Sequence, residues 1–404
     1  MSKKKKIIFA SLAVVFAVLF LIWHFYFSDN NGNTVIHGKV IGEASSNKNS
    51  SKNKVVNVPE NKKSINNKSS LKQKYVLVKI LNGDYKGKVI KLENLINEKT
   101  AHQTLTKKGD EVLVNIDEDS KGKITSAYIY DVVRYKFIYE LIIIFIILLG
   151  IVGGKKGIKS VIALGITGFA VLKIMVPLIL HGFNPTVVSI VICMGVSTIN
   201  LLIISGKNKK TLAAIMGTWG GVILSALIAE FSILSLNLAG LTDEEEQMVI
   251  YISQNVNFNF SGLLFAGILM GALGAVMDVS MSIASSINEI NDKQDNASIK
   301  DLVKSGMNIG KDIMGTMANT LILAYVGGAM YAIIWISSYD LPLYRIINQD
   351  VIASEVIKSL AGSIGLIFTI PLTAICSAVI FKKEKKKLNN GENSIIEGGE
   401  IIKE

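Results

Sequence analysis

From Phe137 to Phe381 the chain is a succession of apolar runs separated by short charged loops. A helix needs about 20 apolar residues to cross a hydrocarbon core of about 30 Å. Inside lipid, only helices and closed barrels satisfy their own backbone polar groups. The runs 137–154, 157–180, 185–205, 211–238, 261–287, 312–337 and 357–381 approach or exceed that length. A further run, Ile7–Phe27, follows Lys3 to Lys6 and has no small-residue cleavage site after it, so it reads as an uncleaved anchor. The expected fold class is therefore an all-α polytopic membrane protein with about eight transmembrane helices. Composition agrees, because half of the 404 residues are hydrophobic and only 19% are charged.

The net charge of +11 gathers largely in Lys runs beside apolar segments. Lys155, Lys156 and Lys159, then Lys207, Lys209 and Lys210, then Lys293, Lys300 and Lys304 occupy alternate loops. The tail 382–404 continues the pattern. Positive charge stays on the cytoplasmic side, so both termini are expected in the cytoplasm and residues 28–136 outside. No basic platform interleaved with aromatics is present, and nucleic acid is not an expected partner. The two cysteines, Cys193 and Cys376, lie in apolar helices and read as small core residues.

Residues 28–136 carry no membrane-length run. Alternating segments at 34–41, 75–81, 87–92, 111–116 and 123–130, separated by turns such as Asn82-Gly83-Asp84, predict about five strands. They read as a small extracytoplasmic barrel of OB or SH3-like type. Between them, 43–74 is Lys/Asn/Ser-rich and too poor in apolar residues to pack, so it reads as a disordered insert. The expected divisions are 1–27 anchor, 28–136 β-rich domain, 137–381 seven-helix membrane domain and 382–404 cytoplasmic tail.

The chemistry concentrates in the run 261–289. At 100° per residue, Gly267, Gly271, Gly274, Asp278, Ser282, Ser285 and Glu289 share one helical face. An ionisable residue at mid-bilayer costs about 2.5–3.5 kcal/mol on insertion scales, so by default it marks a function. The next run offers a partner stripe of Asp312, Thr316, Asn319, Leu323 and Gly327. Packing through Gly271 and Gly274 against Gly327 and Gly328 would bring Asp278 to Asn319. A structural reading competes: an aspartate held by neighbouring hydroxyls and an asparagine that only joins helices. Weaker candidates are Lys173 with Glu230 as a neutral couple, and Pro177 and Pro371 as helix breaks.

Absent motifs narrow the field. There is no GxxxxGK[ST], HExxH or GxSxG, and only one aspartate lies deep in the membrane, so no enzyme and no bound cofactor are expected. The segment Gly271-Ala-Leu-Gly-Ala-Val-Met-Asp278-Val-Ser-Met-Ser-Ile-Ala-Ser-Ser286, and Asp312-Ile-Met-Gly-Thr-Met-Ala-Asn-Thr320 after it, resemble the YibE/F-like bacterial membrane proteins. The layout of anchor, β-rich piece and multi-helix domain is similar too. The resemblance covers roughly 34–41 and 75–381, with 43–74 as an addition, and it implies a multi-span membrane protein without naming a substrate or catalytic residues.

The leading expectation is a transporter or permease for a small solute or ion that uses Asp278. A carboxylate at that depth must hold a proton or be matched by a cation or several donors, which Ser282, Ser285, Thr316 and Asn319 would supply in part; whether a metal is the ion stays open. The alternative is a non-transporting scaffold or sensory component whose barrel binds a partner or envelope ligand. Expected partners are the bilayer, the solute or ion, and a second copy or another membrane protein.

Overall fold

A computed structural model describes residues 36–44, 55–56, 74–94, 106–118, 124–240, 259–294, 297–339 and 341–398. The anchor run 7–27, most of 43–74 and the acidic run 243–246 lie outside the described residues. The described residues divide between Leu148 and Leu149 into a unit carrying a sheet and the start of the first helix, and a unit carrying the remaining helices.

Five strands fall where alternation predicts them: β1 (Ile36–Ala44), β3 (Lys74–Ile80), β4 (Val89–Asn94), β5 (Glu111–Glu118) and β6 (Ile124–Val132). A two-residue strand, β2 (Val55–Val56), is added within the segment read as an insert and pairs with β4 in parallel. Val76, Val78 and Ile80 of β3 point inward with Ile90, Leu92, Val112 and Val114, the period-two signature of a half-buried sheet. Gly38 is required in β1, since a side chain there would run into Val78. The order is β2-β4-β3-β1-β5-β6. The sheet is mainly antiparallel and curls until β4 also meets β6 at Glu93 and Tyr128.

The helices are α1 (Tyr135–Phe169), a π-helical stretch (Ala170–Met175), α2 (Val176–Leu180), α3 (Pro185–Ser205), α4 (Lys209–Leu236), α5 (Phe260–Lys293), α6 (Ile299–Gly328), α7 (Met330–Ser337), α8 (Leu343–Ile347) and α9 (Asp350–Gly398). Polar caps start them. Asn184, Asn208 and Asn259 accept from backbone N–H groups of the first turns of α3, α4 and α5. Ser298 and Asp301 form a reciprocal capping box on α6. Pro371 sits inside α9 without ending it.

Among the described residues five segments are long and apolar enough to cross a membrane, or six if α6 and α7 count as one span bent by 62°. The expected runs 185–205, 211–238, 261–287 and 357–381 correspond to α3, α4, α5 and the first part of α9. The runs 137–154 and 157–180 are one continuous segment, Tyr135–Leu180, interrupted at Gly154, where φ is 52°. The next expected run, 312–337, begins earlier, at Ile299, and breaks beyond Gly328.

The helical core is built around α5. Phe265, Ile268, Leu269, Leu273, Val276, Val279, Ile283 and Ile287 recur at intervals of three and four and are all buried, packed among residues of α3, α4, α6 and α9.

Candidate functional site

The inward face of α5 leaves its opposite face open. Gly267, Gly271, Gly274, Asp278, Ser282 and Glu289 are all exposed, and Ser285 is half-buried. On α6, Leu302, Gly306, Gly310 and Leu321 turn inward, while Asp312, Thr316, Asn319, Leu323 and Gly327 are exposed. The two helices run antiparallel: a side chain on Gly306 would meet Ile287, and one on Gly271 would meet the Tyr325 hydroxyl. From the Gly271–Tyr325 contact, Asp278 lies seven residues along α5 and Asn319 six back along α6, both about 10 Å at a rise of 1.5 Å per residue. The two stripes are thus brought to the same depth.

They do not face each other across a sealed interface. Asp278 and Asn319 have no hydrogen bond or ion pair among the described residues. The hydroxyls between them bond back to their own helices: Thr316 donates to the Ile313 carbonyl at 2.9 Å, Thr320 to Thr316 at 2.8 Å and Ser286 to Ser282 at 2.9 Å. Glu289 pairs with Lys293 at 2.9 Å in an exposed i,i+4 bridge at the end of α5, which sets it apart from Asp278.

The expected packing glycines need correction. Gly267, Gly274, Gly327 and Gly328 have no heavy atom within 4 Å of where a Cβ would sit. Of the five only Gly271 makes a close approach, to Tyr325 rather than to another glycine. Gly327 and Gly328 instead precede the bend into α7. Periodicity correctly puts these residues on one face, but what that face looks at is decided by which side the larger residues bury.

Close packing occurs elsewhere. A side chain on Gly217 would strike Thr373, one on Gly221 would strike Thr369, and one on Gly365 would strike Ser225. Three i,i+4 positions of α4 therefore cross three of α9 in antiparallel register, with small residues admitting the close approach. Thr369 donates to the Gly365 carbonyl at 2.8 Å, whereas the Ser225 and Thr373 hydroxyls are buried with no partner among the described residues. Sequence reasoning missed this crossing, although Gly217-x3-Gly221-x3-Ser225 and Gly365-x3-Thr369-x3-Thr373 carry the spacing.

Other polar side chains tie helices together. Asn200 donates to Thr167 at 2.8 Å, tying α3 to α1, and Trp219 of α4 donates to Thr198 at 3.2 Å. Lys173 is exposed and forms no pair with Glu230 among the described residues. Glu230 instead lines a cavity of about 460 Å³ at one end of the bundle with Thr186, Asn237, Asn259 and Ser261. Among the described residues no three His, Cys, Asp or Glu side chains gather into a metal site.

Two family models match the chain. Residues 141–383 match the one described as YibE/F-like protein, and residues 46–132 match the YibE/F family N-terminal domain. The second match runs across most of 43–74, which therefore lies within the matched domain instead of beside it. No curated protein and no solved structure matches the chain.

Proposed function

The chain belongs to the YibE/F-like family and is an integral membrane protein, and from that premise we propose that it is a carrier or permease for a small solute or ion. One observation carries this reading. Asp278 stands midway along a membrane-length helix, uncapped, level with Asn319 and Thr316, on a face that large side chains leave open. A packing carboxylate would be buried against donors; a carboxylate that receives a ligand has to be reachable.

In this reading the segment Tyr135–Leu180 crosses twice, because each arm beside Gly154 is long enough to span. With 7–27, α6–α7 and the other spans this makes eight crossings, both termini in the cytoplasm of a bacterial cell and the sheet domain outside. The strand contacts support a closed five-stranded barrel of OB type: β1 between β3 and β5, β4 next to β3, and β6 joining β5 to β4.

Purified protein in liposomes tests the reading. Asp278→Asn is expected to abolish solute- or ion-driven flux while leaving expression and thermal unfolding intact. A proton site gives flux that follows pH and ignores added Na⁺ or divalent ions; a cation site gives saturable ion dependence. If Asp278→Asn changes neither response, the carboxylate is structural and the transport reading falls.

A scaffold or sensory role is favoured by one observation: the cavity lined by Glu230 lies at the end of the bundle and does not include Asp278. In that case deletion of 75–131, and not Asp278→Asn, removes function.

A further inference from the structure

We propose that two copies of this chain associate through the exposed face of α5 and α6, and that each copy completes the Asp278 site of the other. The inference rests on the reading of Asp278 as the working carboxylate, and it names what covers the open side of that site.

A face bearing Asp278 at mid-helix cannot be left to lipid tails, which offer no hydrogen-bond partner and no counter-charge. The same face is unusually bare: Gly267 and Gly274 on α5 and Gly315 and Gly327 on α6 point into open space. In a bilayer, exposed glycines bring no hydrophobic gain, whereas they let a second helix approach to backbone distance. Leu323, 59% exposed beside Asn319, adds an apolar contact at the same level.

The occupant follows from depth and chemistry. Copies of one chain insert with one orientation, so a two-fold axis along the membrane normal keeps every residue at the depth of its counterpart. Asp278 and Asn319 share a level within one copy, so the Asn319 amide of each copy reaches the level of Asp278 in the other. The amide N–H groups donate and the carboxylate accepts, and the arrangement is satisfied twice by symmetry. The chain's other unassigned apolar segments do not fit. Ile7–Phe27 has hydrogen-bonding side chains only at Ser11, Trp23, His24 and Tyr26, towards its ends, and the first arm of α1 has none from Leu141 to Gly154. Neither offers Asp278 a donor at mid-membrane.

Two measurements on the full-length protein test the pairing. With Cys193 and Cys376 replaced by Ala, Leu323→Cys in native membranes should link into covalent dimers on mild oxidation. Leu227→Cys, 61% exposed on α4 and outside the proposed face, should remain single. Native mass spectrometry of the unmodified protein should give a two-chain mass that Asn319→Leu shifts towards one chain. A single-chain mass for the unmodified protein, or equal linking at both positions, overturns the proposal. The outcome separates from that of the transport reading. Asp278-dependent flux from a single chain keeps the carrier and removes the pairing. A two-chain mass with flux indifferent to Asp278→Asn keeps the pairing and removes the carrier.

Discussion

A single methyl group distinguishes glycines that pack from glycines that do not. Gly217→Ala or Gly221→Ala places a Cβ against Thr373 or Thr369, and overpacking of this kind costs about 1–3 kcal/mol. Gly195 of α3 is exposed with no atom within 4 Å of its Cβ position, so Gly195→Ala removes backbone freedom without a clash. That change is expected to hold or raise stability by about 0.5–1 kcal/mol. Thermal unfolding of the purified variants in one detergent should therefore move in opposite directions. A fall with Gly195→Ala equal to that with Gly217→Ala would remove the close crossing of α4 and α9.

Within the sheet, β1 and β5 meet a charge pair that makes the domain sensitive to acid. Burial, and next the nearby Lys136 ammonium, hold His37 below its usual range, and the hydrogen bond from Lys136 holds the Glu111 carboxyl below its own. The fold favours neutral His37 and charged Glu111, so both contributions are complete near neutral pH. The first is lost as pH falls below about 6.5 and the second as it falls through the carboxylate range. The Glu111–Lys136 bridge is largely exposed, so solvent screening keeps its contribution small. Hydrogen exchange in β1 and β5, corrected for intrinsic rates, should show weaker protection at pH 5 than at pH 7, and His37→Asn should flatten that difference. Unchanged protection in the unaltered protein would show that His37 does not couple to the fold. How these elements arise was legible in part. Val76, Val78 and Ile80 announce β3 by alternation, and Phe265 to Ile287 announce the buried face of α5. The break at Gly154 was legible too, as the gap between the runs 137–154 and 157–180, whereas the bend after Gly328 inside the run 312–337 was not, because glycine tolerates a helix as readily as it ends one and the neighbours decide. The exposure of Asp278 was equally hidden, since a period of 3.6 assigns residues to a face without saying what covers it.

For the molecule as a whole, the Lys-rich loops predict an orientation that two positions test. In a background free of the native cysteines, Asn208→Cys beside Lys207 and Lys209 should resist an impermeant thiol reagent in intact cells, and Glu245→Cys should react. The reverse pattern would invert every span after α1. The meeting of α4 and α9 also constrains how such chains diverge. Gly217 with Thr373, Gly221 with Thr369 and Ser225 with Gly365 occupy shared volumes, so enlarging one member is tolerated only when the other shrinks. Among relatives these six positions should drift as three couples: an alanine at the position of Gly217 should travel with a glycine at that of Thr373. Independent drift would mean that the two helices can part.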